Sequence, residues 1–435
     1  MHSDSFHPKA RGCLLGLALG DALGTTLEFK AKGSFTPILD MMGGGPFNLR
    51  AGQWTDDTSM ALCLADSLLA TGYNDPIDQN ARYLRWYRHG ENSVTGHCFD
   101  IGNTVRAALH RFERSGDGFC GSRDPFSAGN GSLMRLAPVV LAYCHPFDHQ
   151  LLWQMAADSS RTTHSEALTV SACQVMASAI AVALTLPSGD KNQWLSQWRE
   201  QLQPLPVAPK LKPLLAGSFI DKTEAEIVGS GYVLASLEAA LWAFWHSDNF
   251  EQGALLAANL GDDADTTAAI FGQLAGAFYG LDGLPQHWLD KLAWRQQIEQ
   301  RAQALWQLTP LPSNESILLC CRAAEPLTAA ADPRHKASDD NGSALNHWYE
   351  SVYQHGLILP GFDWMAWQQQ IPSNHDRPHW LRWIAQLDRR DCCQLLTQIV
   401  RSDRFVDGNL TEAINSGTLA AIHQRLFTLT KETRL

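Results

Sequence analysis

An all-α architecture is predicted from three features of the sequence. Strand signatures are scarce, and the apolar segments recur at helical spacing, as in Met60, Leu62, Leu64, Leu68 and Leu69 and in the Ala-rich run 171–186. Residues 229–245 and 266–279 are too apolar for a one-sided surface helix, which places them inside a helical bundle. Their small Gly and Ala residues allow close packing. Gly and Pro punctuate between the apolar runs, and neither a repeat at fixed period nor a Gly-rich phosphate loop between a strand and a helix is found.

The elements follow in chain order. Residues 1–12 lack a basic segment followed by an apolar one, and the apolar stretch from Cys13 to Leu19 is far shorter than a membrane span. No lipidation signal is present at either end. Helices are expected over 59–70, 171–186, 229–245 and 266–279, with a last one ending near Gln307. After it the composition shifts. Pro310, Pro312, Pro326 and Pro333 precede the polar run 336–343, which is linker chemistry. The expected organisation is a catalytic domain over 1–310, a linker over 311–345 and a small helical domain of unknown role over 346–435.

Charge and cysteine usage narrow the function. The 435 residues include 34 Lys and Arg against 45 Asp and Glu, a net charge of −11 that repels a phosphate backbone, so nucleic acid is not an expected partner. A membrane is not expected either. Ten scattered cysteines include two vicinal pairs but no CxxC, which suits buried thiols in the cytoplasm rather than disulfides or zinc.

Two carboxylate clusters stand out. Thr55, Asp56 and Asp57 run directly into one apolar helix, and Asp262, Asp263, Asp265 and Thr266 into another. Each cluster taken alone is also explained by capping, since Asp and Thr suit the positive end of a helix. Three acids within four residues nevertheless repel one another unless a cation or protons neutralise them. The hard-oxygen ligands favour Mg²⁺ or Mn²⁺ over Zn²⁺, and if the two helix starts face each other they can hold two ions sharing a carboxylate.

Other segments have the makings of a site. Glu28 is an isolated acid in an apolar stretch, a candidate base or water holder, though also readable as an acid at a helix end. Residues 127–135, with Ser127, Gly129, Asn130, Gly131 and Ser132, can wrap a phosphate with backbone amides or be an ordinary loop. Asp100 sits between an aromatic and a glycine-containing turn, and His164 is a lone histidine that equally fits a structural role. Trp364, Trp367, Trp380 and Trp383 read either as a partner groove or as a small core.

Together the segments 11–29 (RGCLLGLALGDALGTTLEF), 52–62 (GQWTDDTSMAL), 98–104 (CFDIGNT), 127–139 (SAGNGSLMRLAPV), 163–167 (THSEA) and 259–277 (NLGDDADTTAAIFGQLAGA) resemble the ADP-ribosylglycohydrolase superfamily, in the family's order. The nearest branch by these motifs is the dinitrogenase reductase-activating glycohydrolases. The resemblance implies an orthogonal multi-helix bundle with two Mg²⁺ or Mn²⁺ ions at the base of an ADP-ribose cleft. Thr55, Asp56, Asp57, Asp263, Asp265 and Thr266 match the family's metal ligands, with Asp57 also counted among the catalytic acids. Glu28 matches the acid near the metals and Asp100 the acid beside the distal ribose. Ser127, Gly129, Asn130, Gly131 and Ser132 match the diphosphate and ribose loop, and His164 a substrate-cleft histidine. Asp262 lies outside the ligand set. Thr26 stands where the family often has Pro. Beyond the match, residues 396–426 and 362–367 look like a short bacterial accessory domain of uncharacterised role.

The implied function is a metal-dependent hydrolase that removes ADP-ribose from modified proteins at the N-glycosidic bond to arginine. Two alternatives stand beside it. One is a binding or immunity protein that neutralises an ADP-ribosyltransferase toxin or its product. The other is a hydrolase of serine-linked ADP-ribose, O-acetyl-ADP-ribose or poly-ADP-ribose.

Overall fold

Helix α1 (Pro8–Gly24) begins with proline at its first position, where no amide partner is lost, and the His7 Nδ1 accepts the Ala10 amide at 3.2 Å. The computed structural model describes residues 7–144, 148–187, 189–329, 341–374, 376–406 and 408–432. They form two compact units, 1–308 and 309–435. Among the described residues there is no β-strand, only three isolated bridges.

Four further helices of the first unit matter for the site. These are α2 (Asp56–Thr71), α3 (Ala167–Thr185), α4 (Val233–Trp245) and α5 (Ala264–Tyr279). The pairing of α1 with α5 is the tightest contact of the unit. Gly12, Gly16, Gly20 and Gly24 recur every fourth residue and therefore share one face of α1. A Cβ on Gly16 would lie 2.3 Å from the Gly272 carbonyl oxygen, one on Gly20 2.0 Å from that of Ala268, and one on Gly24 2.3 Å from that of Ala264. The two backbones touch. In consequence the last turn of α1, with Asp21, abuts the first turn of α5, with Asp265.

Helix α3 is long and apolar enough by length and composition to cross a membrane, yet 89% of that stretch is buried inside the protein. Trp194 and Trp198, stacked at 5.1 Å, cover it and donate their indole N–H groups to the Ala179 and Val175 carbonyls, each at 3.0 Å. All ten cysteines are free thiols, eight of them buried.

The second unit corrects the expected linker. Residues 314–329 form a helix that packs on the helices Asn341–Gln354 and Thr418–Glu432 and buries Ile317, Cys320, Ala324 and Leu327. The prolines misled for a positional reason. Pro310 and Pro312 precede the helix and Pro326 falls near its end, where a proline costs less than in the middle. The Arg389 guanidinium donates to the Pro312 carbonyl at 2.9 Å and pairs with Asn314, fixing this segment to the unit. Pro333 and residues 336–340 of the polar run lie outside the described residues. The aromatic residues here mostly build a core: Trp348 donates to His423 Nε2 at 3.0 Å, and Trp380 donates to Thr418 Oγ1 at 3.1 Å while stacking on Trp383. Trp364 and Trp367 are half-buried.

Substituting Gly20 with Ala inserts a methyl 2.0 Å from the Ala268 carbonyl oxygen. The expected loss is about 2–3 kcal/mol, or roughly 5–10 °C in melting temperature. Gly102→Ala, which meets nothing within 4 Å, is expected to change the melt by less than about 2 °C. Thermal melts followed by circular dichroism check both.

Candidate active site

The two acid-rich helix starts face each other. Thr55 occupies the N-cap of α2 and Asp263 that of α5, and neither side chain makes a capping hydrogen bond. Capping therefore does not account for them. Instead the Thr55 hydroxyl lies 3.2 Å from Asp57 Oδ2 and 3.2 Å from Asp265 Oδ2, and the Thr266 hydroxyl lies 3.3 Å from the same Asp57 oxygen. One hydroxyl thus joins the first cluster to the second.

Asp21 organises this meeting. Fully buried in α1, its Oδ1 accepts from the Thr55 amide (2.8 Å) and hydroxyl (2.9 Å), and its Oδ2 from the Thr58 amide (2.9 Å) and hydroxyl (2.6 Å). Both oxygens are engaged twice, so Asp21 clamps the start of α2 rather than offering a free oxygen. It was not selected from the sequence, although an isolated acid among Leu, Ala and Gly carried the same signal as Glu28.

Two groups of carboxylates share Asp265. Oxygens of Asp21, Asp57 and Asp265 lie within 4.8 Å of one another, as do those of Glu28, Asp100 and Asp265. Burial, then the neighbouring negative charges, raise the carboxyls of Asp56, Asp57 and Asp265 well above the ordinary range. Glu28 is pushed up to about 12, chiefly by burial and then by Asp265 and Asp100, and Asp100 to about 7, again chiefly by burial. Among the described residues three buried carboxylate oxygens have no hydrogen-bond partner: Asp57 Oδ1, Asp265 Oδ1 and Glu28 Oε2. Buried, mutually repelling carboxylates with open oxygens fit a hard divalent cation, which would satisfy both the charge and the lone pairs.

Local backbone geometry places the other two acids. Glu28 follows the short 3₁₀ turn Thr25–Leu27, which the Thr26 hydroxyl ties to the Gly43 carbonyl at 3.0 Å. The next residue, Phe29, donates its amide to the Asp262 carbonyl at 2.7 Å, and Asp262 returns a bond to the Lys30 carbonyl at 2.7 Å. Asp262 is thereby a backbone anchor with an exposed side chain. Asp100 adopts a left-handed conformation (φ +58°) just before the helix Asn103–Ser115.

The loop 127–132 reaches the same acid cluster. The Asn130 side-chain amide donates to Asp263 Oδ2 at 2.6 Å and its backbone amide to the Gly231 carbonyl at 3.2 Å, so the loop is held between α5 and the segment entering α4. Ser127 bonds the Asp124 carbonyl, and the Ser132 hydroxyl is turned inward to Ser160 Oγ at 2.8 Å. His164 lies buried beneath the loop: a Cβ on Gly131 would meet its ring at 2.9 Å and one on Gly129 at 3.3 Å. Burial and then the Arg135 charge lower it to about 3, so it stays neutral. Arg135, also missed from sequence, is fully buried over the Tyr83 ring and donates to the Gly131 carbonyl (2.9 Å) and the Thr162 and Thr163 hydroxyls. It fixes the loop from below.

A family model described as ADP-ribosylglycohydrolase matches residues 2–315. The chain belongs to the ADP-ribosylglycohydrolase family. Its first unit is similar to the ADP-ribosylarginine hydrolase Tri1 of Pseudomonas putida (strain GB-1), 48% identical over 311 residues that cover 72% of this chain and 81% of the relative. The ADP-ribosyl-[dinitrogen reductase] glycohydrolase of Rhodospirillum rubrum is 33% identical, over 70% of this chain and 96% of its own, so the branch singled out by the motifs is the more distant of the two. A solved structure described as an ADP-ribosylglycohydrolase-related protein complex aligns with TM-score 0.61 at 43% identity, covering 69% of this chain and 98% of that chain. Residues 297–432 match a family of unknown function, DUF6508. All the acids named above fall within the ADP-ribosylglycohydrolase match.

The charge state of the site predicts a crossover in stability. With chelator, Asp265→Asn is expected to raise the melting temperature by a few degrees, since it removes a repelling buried charge. At saturating Mn²⁺ the wild type is expected to gain roughly 5–10 °C and the variant far less. Differential scanning fluorimetry with and without metal reads both arms.

Proposed function

We propose that the protein hydrolyses the N-glycosidic bond between C1 of an ADP-ribose ribose and the guanidine of a modified protein arginine, with two Mg²⁺ or Mn²⁺ ions bound. The observation that carries the reading is the pair of carboxylate groups sharing Asp265, with open oxygens on Asp57, Asp265 and Glu28. The similarity to a relative named for ADP-ribosylarginine supports the arginine linkage.

The residues divide the work. Thr55, Asp56, Asp57, Asp263, Asp265 and Thr266 would hold the ions. Bound there, the ions supply neutralising charge, contacts for ribose hydroxyls and a more acidic water. Residues Ser127, Gly129, Asn130, Gly131 and Ser132 cradle the diphosphate, and the Asn130–Asp263 bond sets the distance between that cradle and the acids. His164 and Arg135 keep the cradle rigid from below. Oxygens of Glu28 and Asp100 lie within 4.8 Å of each other, both raised by burial, so the pair can accept the proton that water loses as the C1–O bond forms and return one to the departing guanidine as the C1–N bond breaks. The buried carboxylates stabilise positive charge developing on the sugar. Ten free thiols support action in the cytoplasm.

The test is parallel incubation of the full chain and Mg²⁺ or Mn²⁺ with peptides ADP-ribosylated on arginine or on serine, with release followed by mass spectrometry. Release from arginine is expected. Cleavage of the serine peptide alone would overturn the linkage. Asp57→Ala and Asp265→Ala are each expected to lower turnover by at least about 100-fold.

A further inference from the structure

Three aromatic side chains stand together, two of them on residues that follow or precede acids of the site. Phe47 lies between Phe29 and Phe99, with ring centroids 6.5 Å and 5.0 Å away, and His97 extends the row 6.3 Å beyond Phe99. Phe29 and Phe99 directly adjoin Glu28 and Asp100 in the chain. Phe29 is 67% exposed, a poor place for a large apolar ring unless something covers it.

The backbone holds Phe29 where it is at some cost, and left-handed residues follow the other two rings. Phe29 itself is left-handed (φ +60°), as are Asn48 (φ +53°) after Phe47 and Asp100 (φ +58°) after Phe99. A bulky residue in that region is strained, and such strain persists only where surrounding structure enforces it. The enforcing bonds are visible. Phe29 is locked by its paired bonds to the Asp262 loop, and the loop of Phe47 is closed by Gly44 and Leu49, which exchange two backbone bonds at 2.7 and 2.9 Å. Gly45 packs so closely on Thr25 that a Cβ there would lie 2.0 Å from the Thr25 carbonyl oxygen. The platform is thus fixed to the turn that presents Glu28.

We infer that Phe29, Phe47 and Phe99 form the subsite for the leaving group, stacking the guanidinium of the modified arginine beside the carboxylates of Glu28 and Asp100. A flat cation prefers aromatic faces with carboxylates at its edge, and a neutral serine hydroxyl gains nothing there. Glu28 and Asp100 share Asp265 with the proposed ion-holding acids, which sets the two rings adjoining them in the chain next to the pair proposed to act at C1. The inference rests on the arginine reading proposed above.

Phe47 is the residue to vary, because it touches both other rings and is remote in sequence from the acids. Phe47→Ala and Phe47→Leu are expected to raise KM for an ADP-ribosylarginine peptide about fivefold to tenfold, and Phe47→Trp to restore it within about twofold. The affinity for free ADP-ribose, measured by calorimetry on the same metal-loaded full chains, is expected to stay within about twofold, and the Leu and Trp variants guard against a folding defect. Wild-type release of arginine with unchanged KM in the variants, or ADP-ribose affinity falling in step with KM, overturns the platform alone. No release of arginine by the wild type overturns the proposed function and the platform with it.

Discussion

The contact between the backbones of α1 and α5 sets everything else in the catalytic unit. Each glycine in a helix interior costs up to about 1 kcal/mol relative to alanine, so four at i, i+4 spacing in one helix are a local liability. They are tolerated because any Cβ at Gly16, Gly20 or Gly24 would fall within 2.3 Å of an α5 carbonyl oxygen. Close approach substitutes for side-chain packing and brings Asp21 and Asp265 into one cluster. A wider spacing filled by leucines would give a sound bundle with its acids too far apart to share a cation.

That proximity creates an electrostatic load. Seven carboxylates, from Asp21, Glu28, Asp56, Asp57, Asp100, Asp263 and Asp265, gather where burial alone raises their proton affinities. Asp21 has two donors on each oxygen. The apolar core of α1, α3, α4 and α5 holds the arrangement together, and the left-handed residues Phe29, Asp100 and Asp262 ring it. Stability accumulated in the core is spent where chemistry is done, as expected when strain clusters at a functional site.

Much of this was legible in the sequence, and the gaps have physical causes. Helical periodicity is a local property, so the apolar helices could be read directly, and the clusters at 55–57 and 262–266 stood out because like charges in sequence must also be neighbours in space. Their convergence was not legible, since it depends on a packing distance that no window of residues encodes. Asp21 and Arg135 act through hydrogen bonds to residues 34 and 28 positions away, and such partners are invisible locally. The linker failed for another reason: prolines report on backbone freedom but not on position within an element, and at 310, 312 and 326 they stand before a helix or near its end.

The two groups around the acids have different character, and on the proposed reading this difference orients the substrate. On one side lies the loop 127–132, braced by Arg135 and tied to Asp263 through Asn130, the proposed cradle of the diphosphate. On the other side are Glu28 and Asp100, carboxylates suited to a cation, with the inferred aromatic platform on their chain neighbours. An ADP-ribosylated arginine carries both, a diphosphate at one end and a guanidinium at the other, with C1 of the ribose between. Reversing the substrate would set its diphosphate against the buried carboxylates, which Coulomb repulsion makes costly. On the proposed reading the charges of the substrate favour one orientation, with C1 near Asp57 and Asp265, the acids of the two facing helix starts.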